Sequence, residues 1–432
     1  MKIIVGQLNS ITGDIDNNFK KIEQLYKQNE FVLIHPEVVF GANIKSLCLN
    51  KDFIKKVDEF KNLILEKNKK LPFPCYFYNK PWHKNFNFSS KSYGIHLNLV
   101  GGFDECVFHG NSFIINKQGK KIYEFERFKE EIAEIEFEND DFKTEKTLNK
   151  ISNQENIFNA LIIGLKDYVN KSGFKKVMLG LSGGMDSAFV ATLAKEAFGS
   201  ENVKAYLLPS KYTSDLSNEL AIKLCENFKI PYEIIPIMPM YEEILKNISK
   251  SFETERVDTT LENLQARIRG VTLMSLSNRN DAMLLATSNK SEIFAGYATL
   301  YGDTCGGFNP IKDLYKTEIF ELAYWYNKRH KNKIPKEIIT RPPSAELRDN
   351  QKDSDSLPEY PVFDAILKLI LDKNLSFDEV VEKGFDKNTV IRILKLISNS
   401  EYKRCQAPIG TNLMKSSVYN KKLPLVNKFF IN

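Results

Sequence analysis

Apolar positions along the chain fall into short runs and helical stripes that alternate over most of its length. KIIVGQL (2–8) and FVLIHPE (31–37) read as buried parallel strands, and NNFKKIEQLYKQ (17–28) between them has helical spacing. A charged helix over Lys51–Lys70 leads into LPFPCYFYNKPW (71–82), whose prolines are expected to break any regular element. GIHLNLVGG (94–102) and NSFIINKQGKKIYEF (111–125) read as strands with a glycine-bearing turn between them. The acidic, polar stretch EFENDDFKTEKTLNKISNQ (136–154) is the best linker candidate and places a domain boundary near residue 145. Beyond it strand and helix alternate: KVMLGL (176–181), a helix through Ser187, VKAYLLP (203–209), a helix over SNELAIKLCENF (217–228), then YEIIPI (232–237). That alternation predicts a doubly wound parallel α/β sheet.

Composition narrows the class. A chain of 432 residues is too long for one ordinary domain, so two or three are expected. Hydrophobic residues at 42% and charged residues at 27% are those of a globular protein with ample core. The net charge of +6 is mild over this length; it could favour phosphate-rich ligands, but lysine-rich solvated faces are the commoner explanation, and no nucleic-acid partner is expected. No apolar run approaches the roughly 18 residues of a membrane span, and the N-terminal MKIIVGQLNS reads as a strand and not a signal peptide. The six cysteines lack CxxC spacing and only five histidines exist, so neither a disulfide framework nor a zinc site is suggested and a reducing cytoplasm is expected.

The stretch MLGLSGGMDS (178–187) carries the first chemistry. A turn of Gly180, Leu181, Ser182, Gly183, Gly184, Met185, Asp186 and Ser187 between strand and helix offers backbone N–H groups, two hydroxyls and a helix dipole to an anion. Its glycines let phosphate oxygens approach without a Cβ in the way. The GxxxxGK[ST] spacing of a Walker A loop is absent. Asp186 suggests a divalent metal, because a bare carboxylate beside a polyphosphate would repel it. The bland alternative is a helix N-cap built from Ser and Asp, needing no ligand.

SGGMDS resembles the pyrophosphate loop of the N-type ATP pyrophosphatases, which split ATP between its α- and β-phosphates. Within that group, four downstream blocks resemble NAD synthetase: ENLQARIRG (262–270), LLATSNKSEIFAGYATLYGDTCGGFNPIKDLYKTE (284–318), ITRPPSAELRDNQKDSDSLPEYPVFDAIL (339–367) and EYKRCQAPIG (401–410). The resemblance runs almost unbroken from about residue 150 to the C-terminus. It implies an adenine nucleotide alpha-hydrolase-like fold for 150–432 and ATP-dependent amidation of deamido-NAD through an acyl-adenylate. Asp186 and Glu292 are then the catalytic carboxylates expected on Mg²⁺, and residues 180–187, Thr287, Lys316 and Ser344 the ATP contacts. Asn263, Arg267, Glu292 and Lys403 are the expected deamido-NAD contacts. Each has a plainer reading: Arg267 and Arg269 as an exposed helix face, Lys316 as one solvated lysine among many, Ser344 as a cap on the turn after Pro342–Pro343. Leu300 and Gly307 depart from the stand-alone ammonia-dependent members, which carry lysine and aspartate there, and match the glutamine-dependent branch.

That branch has an N-terminal amidase of the nitrilase fold with a Glu–Lys–Cys triad. MKIIVGQLNSITGDIDNNFKKI, LIHPE and HLNLVGGFDECVFHGNSFI resemble parts of it, and Glu37 occupies the place of the catalytic glutamate. Only 60 residues lie between Glu37 and Asn98, where the family fits about twice as many. The missing span would carry the lysine and the cysteine. Cys48, Cys75 and Cys106 read as buried or incidental thiols, and Lys80, Lys84 and Lys91 lie in a region too short to supply both missing strands. Residues 1–142 are therefore expected to be a shortened, inactive nitrilase-like α/β domain, with Glu37 vestigial and free ammonia the nitrogen donor. Alternatives are a glutamine-dependent enzyme with a rearranged or separately supplied amidase, and a non-catalytic assembly subunit. The retention of Asp186 and Glu292 argues against the last. A homodimer is the family's default.

Overall fold

The computed structural model describes residues 1–68, 71–82, 92–252, 259–348, 351, 353–355, 357–414, 417, 418 and 423–425. The chain divides into two compact units, Met1–Lys171 and Ser172–Asn432. Lys84 and Lys91 lie outside the described residues.

The first unit contains β1 (Lys2–Gln7), α1 (Ile15–Gln28), β2 (Val32–Ile34), α2 (Lys51–Asn68), β3 (Cys75–Tyr78), β4 (Gly94–Asn98), β5 (Val100–Phe103) and β6 (Cys106–His109). It continues with β7 (Phe113–Ile115), β8 (Lys121–Glu124), β9 (Glu131–Glu138), β10 (Asp141–Phe142) and α3 (Asn153–Lys171). Two four-stranded sheets, ordered β10-β9-β1-β2 and β3-β4-β7-β8, share one core. Ile3, Val5 and Leu33 of the first sheet meet Ile95, Leu97 and Ile114 of the second there. Helices α1 and α2 bury Ile15, Ile22, Val57 and Ile64 against Val32, Ile34 and Val39 on the other side of the first sheet. The parallel pairing of β1 with β2 is the one expected from KIIVGQL and FVLIHPE.

Three features of this unit differ from the sequence reading. CYFY, inside the proline-rich stretch, forms strand β3 and pairs in parallel with β4; the prolines at 72, 74 and 81 flank it, leaving its own N–H groups free to pair. The acidic stretch taken as linker begins inside β9, which runs antiparallel to β1 with every second side chain buried. Its glutamates sit on the solvent face of a strand, so their abundance hid a period-two pattern. Helix α3, expected on the far side of the boundary, packs within the first unit. The Asp167 carboxylate accepts from Asn9 Nδ2 and from the Gly102 N–H, each at 2.7 Å. Lys171 Nζ donates to Asn9 Oδ1 at 2.8 Å and to the Gly102 carbonyl at 2.7 Å.

The second unit begins with β11 (Lys176–Gly180), α4 (Met185–Phe198), β12 (Val203–Leu207), α5 (Asp215–Phe228), β13 (Tyr232–Ile234), α6 (Met238–Ile248), α7 (Thr260–Asn280) and β14 (Ala282–Leu284). It ends with α8 (Lys290–Ala295), α9 (Lys316–Arg329), α10 (Lys336–Thr340), α11 (Tyr360–Leu367), α12 (Phe377–Glu382), α13 (Lys387–Asn399) and α14 (Glu401–Arg404). Its sheet is parallel throughout, ordered β13-β12-β11-β14. The chain steps outward from β11 through β12 to β13, then returns to the opposite side of β11 as β14. Strand order therefore reverses between β11 and β14, and a crevice opens beyond the carboxyl ends of strands at such a point. Helix α4 is apolar on nearly every face because it lies under the sheet and against α9. Helices α11, α12 and α13 close a second core over Ile293 and Phe294 of α8. Among the described residues no helix is long and apolar enough to cross a membrane.

Candidate active site

The crevice at the β11–β14 reversal is a cavity of about 290 Å³, lined by the turn after β11, by Thr287 beyond β14, by Glu292, Lys316 and Ser344, and by Asp303 and Asp353. Gly183 and Gly184 do different work in the turn. Gly183 has φ +77°, and a Cβ there would stand 2.2 Å from the Ser217 carbonyl oxygen, so its lack of a side chain serves packing against α5. At Gly184 a Cβ would meet nothing nearer than Ser182 Oγ, at 3.3 Å. Ser182 and Ser187 hold the turn by a hydroxyl–hydroxyl bond of 3.1 Å, and Ser182 Oγ accepts from the Gly184 N–H at 3.2 Å.

The plain N-cap built from Ser and Asp is not what forms. Gly184 occupies the N-cap position of α4 with no side-chain capping bond. Asp186 turns away from the helix end: its carboxylate accepts from Asn289 Nδ2 at 3.0 Å and from the Lys316 ammonium. The first-turn N–H groups and their dipole thus face the cavity without a capping side chain, as an anion site needs.

Glu292 is the third residue of α8 and is fixed by a capping box. Asn289 Oδ1 accepts the Glu292 N–H at 3.0 Å, and the Glu292 carboxylate accepts the Asn289 N–H at 3.3 Å. Lys316 opens α9, is 3% exposed, and stands 3.5 Å from the Glu292 carboxylate. It is no solvated lysine. Burial and the neighbouring Asp186 push the Glu292 carboxyl up to about 8, while Asp186 and Glu292 hold the Lys316 ammonium above the usual lysine range despite its burial. Asp353 adds negative charge from the loop before α11, its carboxylate held by Tyr360 at 3.0 Å and Tyr297 at 3.3 Å. Three carboxylates thus surround one ammonium. Among the described residues no group of three or more His, Cys, Asp or Glu side chains is gathered closely enough to cage a metal. The excess negative charge fits a divalent ion that takes one or two protein carboxylates and finds its other ligands on phosphates and water.

Ser344 lines the cavity and also caps a turn, its hydroxyl donating to the Gln351 carbonyl at 2.5 Å and accepting from the Glu346 N–H at 3.2 Å. Asn263, Arg267 and Lys403 do not line the cavity; they gather beside it around residues 296–303. Asn263 Oδ1 accepts from Thr299 Oγ1 at 2.8 Å, and Arg267, exposed, donates to the Leu300 carbonyl at 3.3 Å. Lys403 Nζ donates to the carbonyls of Gly296 and Ala298 at 2.8 and 2.7 Å. Arg269, by contrast, turns inward to the cavity and donates to the Leu208 carbonyl at 2.9 Å.

Sequence reasoning missed Asn289, Asp303 and Asp353. Asn289 was findable, since Asn-x-x-Glu ahead of an apolar run is a capping signature. Asp303, whose carboxyl burial pushes up to about 6, sits in a turn, and Asp353 opens a three-residue 3-10 helix; neither segment carries a periodic signal in the sequence.

Residues 157–407 match the NAD synthase family. The glutamine-dependent NAD(+) synthetase of Thermotoga maritima is 41% identical over 396 residues, covering 82% of this chain and 69% of that protein. That of Acinetobacter baylyi is 40% identical over 361 residues, covering 82% and 67%. The chain thus spans about two thirds of the length of these relatives. Among solved structures, the glutamine-dependent NAD+ synthetase of Acinetobacter baumannii in complex with ADP aligns with a TM-score of 0.71 at 27% identity, covering 99% of each chain. The expected architecture, a nitrilase-like α/β unit ahead of a doubly wound parallel sheet, is the one found. A family match across more than half of the residues, with cavity and charge cluster inside it, leaves one assignment: the chain belongs to the NAD synthase family.

Proposed function

We propose that this protein is an ATP-dependent NAD synthetase that amidates deamido-NAD in the cavity at the β11–β14 reversal. The observation that carries the reading is the convergence there of the uncapped α4 N-terminus, Asp186, Glu292 and Lys316. A carboxylate is too poor an electrophile to react with ammonia directly. Attack of the nicotinate carboxylate on the α-phosphorus of ATP forms a carbon–O–phosphorus bond and breaks the bond to the β-phosphate, giving acyl-adenylate and pyrophosphate. Ammonia then attacks the acyl carbon, AMP leaves with the bridging oxygen, and the nitrogen sheds a proton. The first-turn N–H groups of α4 and the hydroxyls of Ser182 and Ser187 receive the departing pyrophosphate. Lys316 lies where negative charge grows on the phosphates, and such preplaced charge is the main source of rate in phosphoryl transfer. Thr287 and Ser344 border the nucleotide. Asp186 and Glu292 would hold Mg²⁺, which when bound neutralises phosphate charge. Asn263, Arg267 and Lys403, beside the cavity, are assigned to deamido-NAD.

The nitrogen source has two readings. Likeness to relatives named glutamine-dependent, together with Leu300 and Gly307, supports glutamine as the donor over free ammonia. The first unit supports the second reading, direct use of ammonia. Glu37 follows β2 and its carboxylate accepts from Asn79. Cys75 packs against the core between the sheets, where burial pushes its thiol up to about 12. A thiol so placed is no nucleophile. Assaying the purified chain with deamido-NAD, Mg²⁺ and ATP, and either ammonium or glutamine as sole nitrogen source, tests both levels. No NAD from either source overturns the synthetase assignment; NAD from ammonium alone selects the second reading.

A further inference from the structure

Asn289 is fully buried, and its side chain joins the Asp186 carboxylate to the Glu292 backbone N–H, while its own backbone N–H donates to the Glu292 carboxylate. Its amide oxygen must face the Glu292 N–H, because only an oxygen accepts there. Its amide NH₂ must face Asp186, because only a donor suits a carboxylate. One planar group therefore fixes the offset between α4, which carries Asp186, and α8, which carries Glu292. The same first turn adds a tie: Ser291 Oγ accepts from the Lys316 N–H at 3.0 Å and donates to Asp364 at 2.5 Å, seating the start of α9. Helix α8 is only six residues long, too short to hold its own direction, so its heading depends on these ties.

We infer that Asn289 is a positioning residue that sets the spacing of Asp186 and Glu292 for a divalent cation shared with ATP. It touches neither substrate nor metal and acts through the Asp186 carboxylate and through the helix start that carries Glu292. The inference rests on the adenylating site proposed above and goes beyond it by separating two duties of one side chain, capping α8 and aiming Asp186. Serine can do the first, since it is a strong N-cap. It is too short to do the second.

The test is calorimetric titration of ATP into the full chain at a series of Mg²⁺ concentrations, with the melting midpoint recorded alongside. Asn289→Ser should keep the cap and so melt above Asn289→Ala, while the Mg²⁺ needed to half-saturate ATP binding rises about tenfold, the scale of losing one hydrogen bond to a charged group. Asn289→Thr, another capping residue, is the second variant and should behave alike. Asn289→Ala should lose both the cap and the Mg²⁺ response. In an Asp186→Asn background the added effect of Asn289→Ser should vanish, because its route through Asp186 is gone. A Mg²⁺ requirement in Asn289→Ser equal to that of the unaltered protein reduces Asn289 to a helix cap and overturns the inference. ATP binding by the unaltered protein that ignores Mg²⁺ overturns the metal reading beneath it.

Discussion

The ammonium of Lys316 stands 3.5 Å from a Glu292 carboxylate oxygen, with both side chains largely withdrawn from solvent. Asp186 closes on the same ammonium from another side, so the lysine is the common counter-charge of carboxylates carried by two helices. Replacing it with the neutral Lys316→Met leaves those carboxylates facing one another, and breaking a buried ion pair from one side costs about 3 kcal/mol. The variant should melt earlier without ligand, as read by differential scanning calorimetry. An unchanged midpoint would mean that water screens the cluster.

Asp186 can be tested with less collateral damage, since Lys316 retains Glu292 as partner. Asp186→Asn should fold normally by circular dichroism while ATP–pyrophosphate exchange in the presence of deamido-NAD falls by about 100-fold, the usual scale for removing one electrostatic contact at a reacting phosphate. Exchange near the level of the unaltered protein would remove Asp186 from the chemistry.

The two glycines of the turn separate folding from binding. Gly183→Ala should destabilise the protein with or without ATP, because its Cβ meets the Ser217 backbone at 2.2 Å and its φ of +77° disfavours any side chain. Gly184→Ala has an extended backbone and meets only the Ser182 hydroxyl, at 3.3 Å, which needs to shift by a few tenths of an ångström; it should change the melting midpoint far less than Gly183→Ala and weaken ATP binding. Equal behaviour of the two in both measurements would return the turn to a purely structural role.

How far these assignments were legible in the sequence follows from where each residue sits. The SGGMDS turn was legible because it lies where an apolar run gives way to helical spacing. The alternation of KVMLGL, VKAYLLP and YEIIPI carried the parallel sheet for the same reason. Thr287, Glu292 and Lys316 were assigned only through resemblance to NAD synthetase, and they fall beyond a strand end or in the first turn of a helix. Strand β9 was hidden because its outward residues are almost all glutamate, a composition that mimics a linker. Helix α3 falls in the first compact unit, beyond the boundary expected near residue 145, because its ties to Asn9 and Gly102 connect positions more than sixty residues apart. Asp353 owes its place to Tyr360, seven residues on, and to Tyr297, 56 residues back, and no local pattern announces a carboxylate held by such a pair.

Asp303 gives a pH signature. Burial raises its carboxyl to about 6 in the folded chain against 3.8 unfolded. Between those values the folded chain holds a proton that the unfolded chain has released. The stability this confers is present in full below about pH 4 and is lost as pH rises through 6. Asp303→Asn cannot titrate, so its stability relative to the unaltered protein should climb from pH 4 to pH 6 and level off near pH 7, by up to about 3 kcal/mol. Urea unfolding at several pH values reads this difference. A pH-independent difference would place the carboxylate in contact with water.

The two nitrogen-source readings part in the first unit. Glu37 sits in a short 3-10 helix after β2, Asn79 donates to its carboxylate, and burial holds its carboxyl above the usual range. A glutaminase of the expected type needs a thiolate within reach of a base, and Cys75 spends its side chain on the inter-sheet core. Cys48 is exposed on the surface. If the chain uses ammonia directly, Glu37→Gln, Cys75→Ser and Cys48→Ser should all leave ammonium-supported NAD formation at the level of the unaltered protein, and glutamine should support none in any of them. A thiol-directed glutamine analogue should then label no cysteine of residues 1–171, as read by peptide mass mapping. If instead glutamine supports synthesis and Cys75→Ser alone abolishes it while sparing the ammonium reaction, the core between the sheets must open far enough to expose the thiol, and the first unit is a compact amidase.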